Sequence, residues 1–411
     1  MSLHSAPPCR ACAHPELAPV LDLGLQPLAN NLLRPEHLQQ VEPRFPLVLH
    51  VCPQCWLIQI GDLVPPVSLF SEYLYFSSFS DEMLKHARSA AEGYRQDYAL
   101  GTSSFVVEIA SNDGYLLKNF VAAGVPCLGV EPARNVAEVA RQAGVPTEIA
   151  FFGGNYAQDL ASRKGKADLI LGNNVFAHVP DIRDFLTGLK ELLHPSGRVI
   201  LEFPYAVDFV QRNEFDTIYH EHVFYLALTP LIPLFRRHGL EIHQVETLPI
   251  HGGSLRLFAS HCGTTVVQPS VARFLATETA LGLNTPATYA RFAEHVARLR
   301  RELRALLQEL KGSGKTIAAY GASAKGSTLL NYMGIGSDLL DFVADRSTYK
   351  QGRLTPGTHL PILPASSLTD RMPDYTLLLT WNFADEILKQ QTAYRERGGR
   401  FIVPIPEIRV I

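Results

Sequence analysis

Four cysteines near the amino terminus occur as two C-x-x-C pairs, and this spacing constrains the fold more than any other feature. The pairs are Cys9 with Cys12 and Cys52 with Cys55, four of the six cysteines in the chain. Two such pairs can converge on one tetrahedral zinc ion and fill every coordination position, which leaves none for chemistry. Disulfides or free thiols are the alternatives, but no secretory signal is evident that would place these thiols in an oxidising compartment. The pattern therefore predicts a structural zinc module.

Size and charge limit the remaining possibilities. At 411 residues the chain exceeds one ordinary domain, so two or three units are expected. A net charge of -3 gives no electrostatic footprint for nucleic acid or an anionic membrane, and no apolar run is long enough to span a bilayer. We expect a cytoplasmic protein that acts on a small molecule.

Beyond the cysteine pairs, apolar strands alternate with helical segments in two series. This alternation predicts parallel sheets covered on both faces, and hence an α/β fold with two Rossmann-like units after the zinc module. We predict domain boundaries of 1–68, 69–265 and 266–411. The predicted strands cover residues 105–110, 127–131, 167–172, 198–202, 241–249 and 255–261 of the first series, and 316–320, 340–345, 375–380 and 401–404 of the second.

The first loop of the middle series has the residues expected of a nucleoside site. Glu108-Ile-Ala-Ser-Asn-Asp-Gly114 follows a strand and opens a helix, where an open α/β sheet exposes backbone amides. Glu131 ends the next strand and can accept hydrogen bonds from ribose hydroxyls. A dinucleotide would need G-x-G-x-x-G, and Glu108 would repel its phosphates. A cationic nucleoside fits better, which predicts S-adenosylmethionine, with another nucleotide or a ligand-free fold as alternatives.

This loop resembles motif I of the class I methyltransferases, which reads E-x-G-x-G-x-G. Ala110, Asn112 and Gly114 stand at its three glycine positions, and Asn173 and Asn174 fill the usual position after the fourth strand. The resemblance implies that the methyl donor is bound by these five residues together with Glu108 and Glu131.

The segment Tyr219-His-Glu-His222 is the best candidate for proton transfer. It lies in the long connection after the strand that ends at Glu202, which crosses the ligand-binding edge of such a sheet. His178 and Tyr73 could converge on the same place. The alternatives are surface or capping histidines, or a second metal, for which two histidines in one loop make a weak site.

Several motifs in one order make the chain similar to the S-adenosylmethionine-dependent sugar C-methyltransferases, which act on nucleotide-linked 4-keto-deoxysugars at C3. The resemblance covers nearly the full length. It implies that His222 is the base, with Glu221, Tyr219, His178 and Tyr73 around the sugar. The motifs are Leu21-Asp-Leu-Gly-Leu-Gln-Pro-Leu-Ala-Asn30, Tyr73-Leu-Tyr-Phe-Ser-Ser78, the loop from Glu108 to Gly114, Tyr219-His-Glu-His222, His251-Gly-Gly-Ser-Leu-Arg256 and Tyr320-Gly-Ala-Ser-Ala-Lys-Gly326.

The carboxy-terminal series carries a second candidate loop. Tyr320, Gly321, Ser323 and Lys325 lie between a strand and an apolar helix, so the loop amides and the lysine could bind a pyrophosphate. Asp345 ends the next strand and could meet a ribose or base. The resemblance also places the nucleotide part of the substrate here, and a purely structural lobe is the alternative.

Together these features predict a C-methyltransferase that forms an enolate on a nucleotide-linked 4-keto-deoxysugar. Carbon attacks a sulfonium methyl group only when a neighbouring carbonyl allows an enolate, so a positioned base is required. Methyl transfer to oxygen or nitrogen on a nucleotide sugar is one alternative. A catalytically silent nucleotide-sugar-binding scaffold is the other.

Overall fold

A computed structural model of the chain describes residues 7–70, 76–248 and 253–411. The described residues form three β-sheets of four, seven and six strands. Helices connect the parallel strands of the two larger sheets, which confirms the α/β class predicted from the alternating pattern. Within the described residues, no helix combines the length and the apolar character needed to cross a membrane.

The smallest sheet begins in the zinc module. Both C-x-x-C pairs lie in turns that end on a residue with left-handed backbone, Ala13 at φ 62° and Trp56 at φ 65°. In each turn the amide of that residue donates to the carbonyl of the first cysteine. The two turns therefore have the same construction. The antiparallel strands of the module are β1 (Ala18–Pro27), β2 (Arg44–Val51) and β3 (Ile58–Ile60), and a short helix follows, α1 (Pro66–Phe70).

The middle unit contains the seven-stranded sheet. Its strand order is β10-β11-β8-β7-β4-β5-β6, and a separate short strand, β9, pairs with β3 of the zinc module. The strands are β4 (Val106–Ile109), β5 (Cys127–Val130), β6 (Thr147–Glu148), β7 (Ala167–Asn173), β8 (Leu193–Pro204), β9 (Phe224–Tyr225), β10 (Leu240–Leu248) and β11 (Ser254–His261).

One strand runs against the predicted direction. We expected parallel strands, but β11 is antiparallel to both β8 and β10. The physical reason is the short connection between β10 and β11, because a parallel neighbour requires a crossover of a dozen or more residues. The remaining strands from β4 to β8 pair in parallel, so their carboxyl ends share one edge of the sheet.

The helices of the middle unit flank this sheet. Ser80 caps the first of them, since its hydroxyl accepts a hydrogen bond from the amide of Met83. The helices are α2 (Asp81–Asp97), α3 (Leu117–Ala122), α4 (Arg134–Gln142), α5 (Gly154–Lys164), α6 (Ile182–Leu192), α7 (Ala206–Gln211) and α8 (Leu228–Arg237).

Two helices, α9 (Pro269–Ala280) and α10 (Pro286–Gly312), lead to the carboxy-terminal unit. The second is a long connector of 27 residues. It contacts the zinc module, since Tyr289 stacks on Trp56 with ring centroids 6.4 Å apart. The domain boundaries given above remain predictions.

The carboxy-terminal sheet has the order β14-β13-β12-β15-β16-β17, with all pairs parallel except the last. The strand order reverses between β12 and β15, where such sheets bind ligands. Its elements are β12 (Ile317–Tyr320), α11 (Ala324–Met333), β13 (Val343–Asp345), β14 (Ile362–Pro364), α12 (Ser367–Arg371), β15 (Tyr375–Leu378), α13 (Ala384–Gln390), α14 (Thr392–Glu396), β16 (Arg400–Val403) and β17 (Arg409–Val410).

Candidate active site

The four predicted zinc ligands come together. Their sulfur atoms all lie within 4.8 Å of one another, and Cys9 Sγ is 3.6 Å from Cys55 Sγ while Cys12 Sγ is 3.5 Å from Cys52 Sγ. Zinc–sulfur bonds of about 2.3 Å in a tetrahedron place sulfurs roughly 3.8 Å apart. All four cysteines are free of disulfides. The cluster therefore fits a closed structural zinc site.

The zinc module is bonded to the segment that carries the candidate base. Arg10, inside the first C-x-x-C pair, donates to the carbonyl oxygens of Ile60 and Gly61 at 2.7 Å each. Strand β3, which ends at Ile60, pairs antiparallel with β9, and the Ile60 amide donates to the carbonyl of Val223. Because Val223 directly follows His222, the zinc module fixes the end of the base-carrying segment.

The methyl-donor loop keeps the backbone of motif I although two glycines are missing. Ala110, Asn112 and Gly114 have φ values of 54°, 50° and 77°, all in the left-handed region. Asparagine tolerates this region and glycine adopts it freely, whereas alanine is strained there. The loop therefore has left-handed backbone at all three positions where the motif has glycine, at some cost in stability at Ala110.

Glu131 closes this loop from the neighbouring strand. One carboxylate oxygen accepts from the Asn112 amide and the other from the Ala133 amide, both at 2.9 Å. Each oxygen keeps a second lone pair for a ribose hydroxyl. The amides of Ser77 and Ser78 bind the side chains of Asn112 and Asp113, so the segment before α2 also braces the loop.

The charges around this loop favour a cationic ligand. Glu108 is 0 % exposed, and burial together with the carboxylates of Glu131, Asp113 and Glu202 raises its pKa well above the usual range. These carboxyl groups would repel a pyrophosphate, whereas a sulfonium would relieve their mutual repulsion. The residues present therefore fit S-adenosylmethionine.

The two predicted asparagines end β7 beside this loop. Asn173 donates from its side-chain amide to the Tyr115 hydroxyl at 3.3 Å. Asn174 has left-handed backbone with φ 54°, and its amide donates to the carbonyl of Glu202 on β8. No pattern in the sequence predicted the ionic network next to them, in which the Glu202 carboxylate contacts His86 and Arg256 at 2.9 and 2.7 Å.

His222 is held as a neutral base in a defined orientation. Its Nδ1 is 2.9 Å from the carbonyl oxygen of Thr217, so Nδ1–H donates and Nε2 is the basic nitrogen. The Tyr219 hydroxyl lies 2.8 Å from Nε2. Burial and the neighbouring His178 lower the pKa of His222 well below the usual range for histidine.

His178 lies beside His222 and is hydrogen-bonded to the backbone of Glu221. The His178 ring packs edge-on against His222 with centroids 4.8 Å apart, and burial lowers the pKa of His178 to about 4. Burial raises the pKa of Glu221 to about 7, although the Asn30 amide bonded to it acts in the opposite direction. Tyr73 lies outside the described residues, as do His251 and Gly252 of the predicted motifs.

The carboxy-terminal unit forms hydrogen bonds with the residues just before Tyr219 and His222 in the chain. The Thr328 hydroxyl donates to the carbonyl of Ile218 at 3.0 Å, and Trp381 Nε1 donates to the buried carboxylate of Asp216 at 2.7 Å. Lys325 Nζ is 5.4 Å from the centre of the Trp381 ring. Burial raises the pKa of Glu214 to about 7, and the nearby Lys325 opposes this effect. No pattern in the sequence predicted the bond of Thr328 to Ile218 or that of Trp381 to Asp216.

The predicted carboxy-terminal loop forms a tight turn between β12 and α11. Gly321 has φ 92°, and a side chain there would meet Thr380, so only glycine fits. The Ser323 hydroxyl caps α11 by accepting from the Gly326 amide. Asp345 accepts a hydrogen bond from the Ala322 amide at 2.7 Å. Tyr320, the last residue of β12, accepts one at its hydroxyl from the Gln391 side chain.

Comparison with known proteins identifies the class. Residues 9–70 match a putative zinc binding domain, residues 83–245 a methyltransferase domain, and residues 249–406 a C-methyltransferase C-terminal domain. C-methyltransferase NovU from Streptomyces niveus is 41% identical over 404 residues, which span 98% of this chain and 96% of that protein. The chain belongs to this family of S-adenosylmethionine-dependent C-methyltransferases, so the family and cofactors predicted from the motifs are confirmed.

Solved structures of methyltransferases are similar to part of the chain. Magnesium protoporphyrin IX methyltransferase from Synechocystis PCC 6803 with bound SAM is 16% identical, with a TM-score of 0.34, over 43% of this chain and 79% of that chain. An S-adenosylmethionine-dependent methyltransferase from Clostridium acetobutylicum is 13% identical, with a TM-score of 0.36, over 44% of this chain and 92% of that chain.

Loss of one zinc ligand should loosen the base-carrying segment. In Cys52→Ser we expect zinc content to fall and amide hydrogen exchange to rise at 219–225, because β3 would no longer be fixed against β9. Zinc binding of this kind contributes on the order of 10 kcal/mol to folding. Cys262→Ser, at an exposed cysteine outside the cluster, is the matched control. Unchanged exchange at 219–225 in zinc-depleted protein would contradict the coupling.

Strain at Ala110 predicts an unusual effect of glycine. We expect Ala110→Gly to raise the free energy of unfolding by about 0.5 to 1 kcal/mol, because glycine adopts the left-handed region without a steric cost. Ala91→Gly inside α2 should instead lower it by about 1 kcal/mol or more. Urea denaturation measures both. If both substitutions destabilise equally, Ala110 is not strained.

Proposed function

We propose that the enzyme transfers a methyl group to C3 of a nucleotide-linked 4-keto-deoxysugar through an enolate formed by His222. The supporting observation is the pair of bonds on the imidazole, Nδ1 to the Thr217 carbonyl and Nε2 to the Tyr219 hydroxyl. This arrangement makes Nε2 the nitrogen that can accept a proton. A C-methyltransferase must make its target carbon nucleophilic, and removal of a proton next to a carbonyl achieves this.

Neutral His222 removes the C3 proton. Its lowered pKa keeps the imidazole unprotonated at neutral pH, so it is ready to accept a proton on arrival of the substrate. A positioned general base contributes about 10² to 10⁴-fold to the rate. Bound S-adenosylmethionine supplies an electrophilic methyl group to the carbon that has lost its proton.

The neighbours of His222 have separate tasks. The family resemblance implies that His178 and Tyr73 donate hydrogen bonds to the enolate oxygen, where such bonds act most strongly. Tyr73 lies outside the described residues. Tyr219 orients Nε2 through its hydroxyl. Glu221 accepts a hydrogen bond from a sugar hydroxyl and favours the positive charge that His222 gains.

The nucleotide part of the substrate binds to the carboxy-terminal loop. The turn from Tyr320 through Gly321 and Ser323 offers backbone amides to a pyrophosphate, and Lys325 supplies positive charge. Lys350 adds a second cation, because its Nζ lies 2.8 Å from the Ala322 carbonyl in the same turn. Asp345 faces the ribose. The four module cysteines hold zinc, and since such thiols stay reduced in the cytoplasm, we infer a cytoplasmic enzyme with a small-molecule substrate.

Replacing the base should abolish exchange at C3. In His222→Asn we expect loss of deuterium uptake at C3 from heavy water and loss of methyl transfer, measured by NMR and mass spectrometry with thymidine-, guanosine- and cytidine-diphospho-4-keto sugars. His194→Asn, at the amino end of β8 and the opposite edge of the sheet, is the control. A wild-type product with a quaternary C-methyl carbon supports the reaction. An O- or N-methyl product, or full exchange in His222→Asn, would refute it.

The pH dependence should report Glu221. The carboxylate has a pKa of about 7, so its ionised form is lost as pH falls through that value and C3 exchange should decline there. Protonation of His222 follows only at lower pH, since its pKa lies below the usual range. In Glu221→Gln the step near pH 7 should vanish, leaving a slower reaction with its acid limb at lower pH. A step that persists in Glu221→Gln would assign it to another group.

A further inference from the structure

One segment of the zinc module crosses from the active site to the carboxy-terminal unit, and we call residues 28–42 the strap. At its start the Asn30 side chain contacts Glu221. Further along, Leu33 exchanges two backbone hydrogen bonds with Leu354, at 3.0 and 2.8 Å. At its end the Glu42 carboxylate accepts from the Gly357 amide at 2.9 and 3.0 Å. The strap is therefore fixed at both ends.

The contact at its start has a defined geometry. Asn30 Nδ2 donates to Glu221 Oε2 at 2.7 Å, a short bond typical of a charged acceptor. Glu221 is 4 % exposed, whereas Asn30 is exposed. The two residues are 191 positions apart in the chain. A neutral amide can orient a carboxylate without neutralising its charge. A lysine or arginine would neutralise that charge.

We propose that Asn30 is a positioning residue of the active site, contributed by the zinc module, which holds the Glu221 carboxylate in the orientation that the proton transfer at His222 requires. The proposal deepens the function proposed above and rests on it. It gives the zinc module a role in the reaction in addition to its structural one. It also gives a role to the last residue of the Leu21–Asn30 motif, which the mechanism had not used.

None of the other described groups around Glu221 is shown to stabilise its carboxylate as Asn30 does. The titratable neighbours are His178, which meets the Glu221 main chain, and His220 and His222 on either side in the chain; burial lowers the pKa of all three. Among the described residues, no lysine or arginine forms an ion pair with Glu221. Lys325 acts on His222, Glu214 and Asp216 instead. The neutral Asn30 amide is thus the partner that favours the carboxylate against burial.

A charge scan at two adjacent asparagines tests the proposal in the full-length zinc-loaded enzyme. Asn30→Asp places a second carboxyl group at hydrogen-bond distance from Glu221, and the pair must then share a proton. We expect the C3 exchange rate of Asn30→Asp to be at least tenfold below that of wild type at pH 8. The ratio of the two rates should approach one at pH 6, where Glu221 of the wild type is itself largely protonated. Asn31→Asp makes the same charge change at the next exposed residue, and its rate relative to wild type should stay within about twofold at both pH values.

A double-mutant cycle separates positioning from a general structural effect. Asn30→Ala alone should slow exchange about tenfold and move the step near pH 7 to higher pH, because the carboxylate loses a donor. In a Glu221→Gln background the same substitution should have no further effect, since its target is gone. Zinc content and melting temperature confirm that each variant is folded.

Two results would overturn the proposal. One is Asn30→Asp behaving like Asn31→Asp at both pH values, and the other is full additivity of Asn30→Ala with Glu221→Gln. Difference infrared titration against Glu221→Gln provides a readout that needs no substrate: the carboxyl signal of Glu221 should move to higher pH in Asn30→Ala. If no keto-sugar is methylated, the proposed reaction fails while this titration still decides the role of Asn30.

Discussion

The pairing of β3 with β9 is the interaction on which the geometry of the active site depends. It joins β3, which the zinc module holds in place, to the two residues of β9, Phe224 and Tyr225. These residues follow His222 and Val223 directly in the chain. From the other side, Thr328 and Trp381 of the carboxy-terminal unit bond to the same segment. The base therefore lies on a loop that belongs to the middle unit but is fixed by both neighbours. A loop of this kind would otherwise be mobile, and a general base needs a fixed direction more than it needs intrinsic basicity.

Burial sets the protonation states at this junction. It lowers the pKa of His222 and His178 and raises that of Glu221, so the imidazoles stay neutral and the carboxyl group titrates near neutral pH. Of these three side chains, only Glu221 therefore carries charge near neutral pH. A small change in hydrogen bonding, such as one amide from Asn30, can therefore shift the ionisation of Glu221, because that carboxyl group titrates near neutral pH.

The sequence was sufficient where local spacing determines the structure. Two C-x-x-C pairs predicted the cysteine cluster, and a carboxylate at the end of a second strand predicted the position of Glu131. It was insufficient for contacts between units. Asn30 and Trp381 are single residues whose partners are 191 and 165 positions away, and no periodicity marks such pairs. The direction of β11 was missed because it depends on a connection length that the apolar pattern does not reveal.

The two α/β units hold their first loops in the same way, but the charged side chains around these loops differ. In each, a carboxylate at the end of the second strand accepts from an amide of the first loop: Glu131 from Asn112 and Asp345 from Ala322. Beside Glu131 lie further carboxylates, whereas Lys350 lies 3.7 Å from Asp345 and bonds to the same turn. The first loop therefore favours a cationic donor, and the second has the charge that the proposed anionic nucleotide would require. Because the turns are alike, these neighbouring side chains, and not the backbone, are what would keep the two ligands in their separate sites.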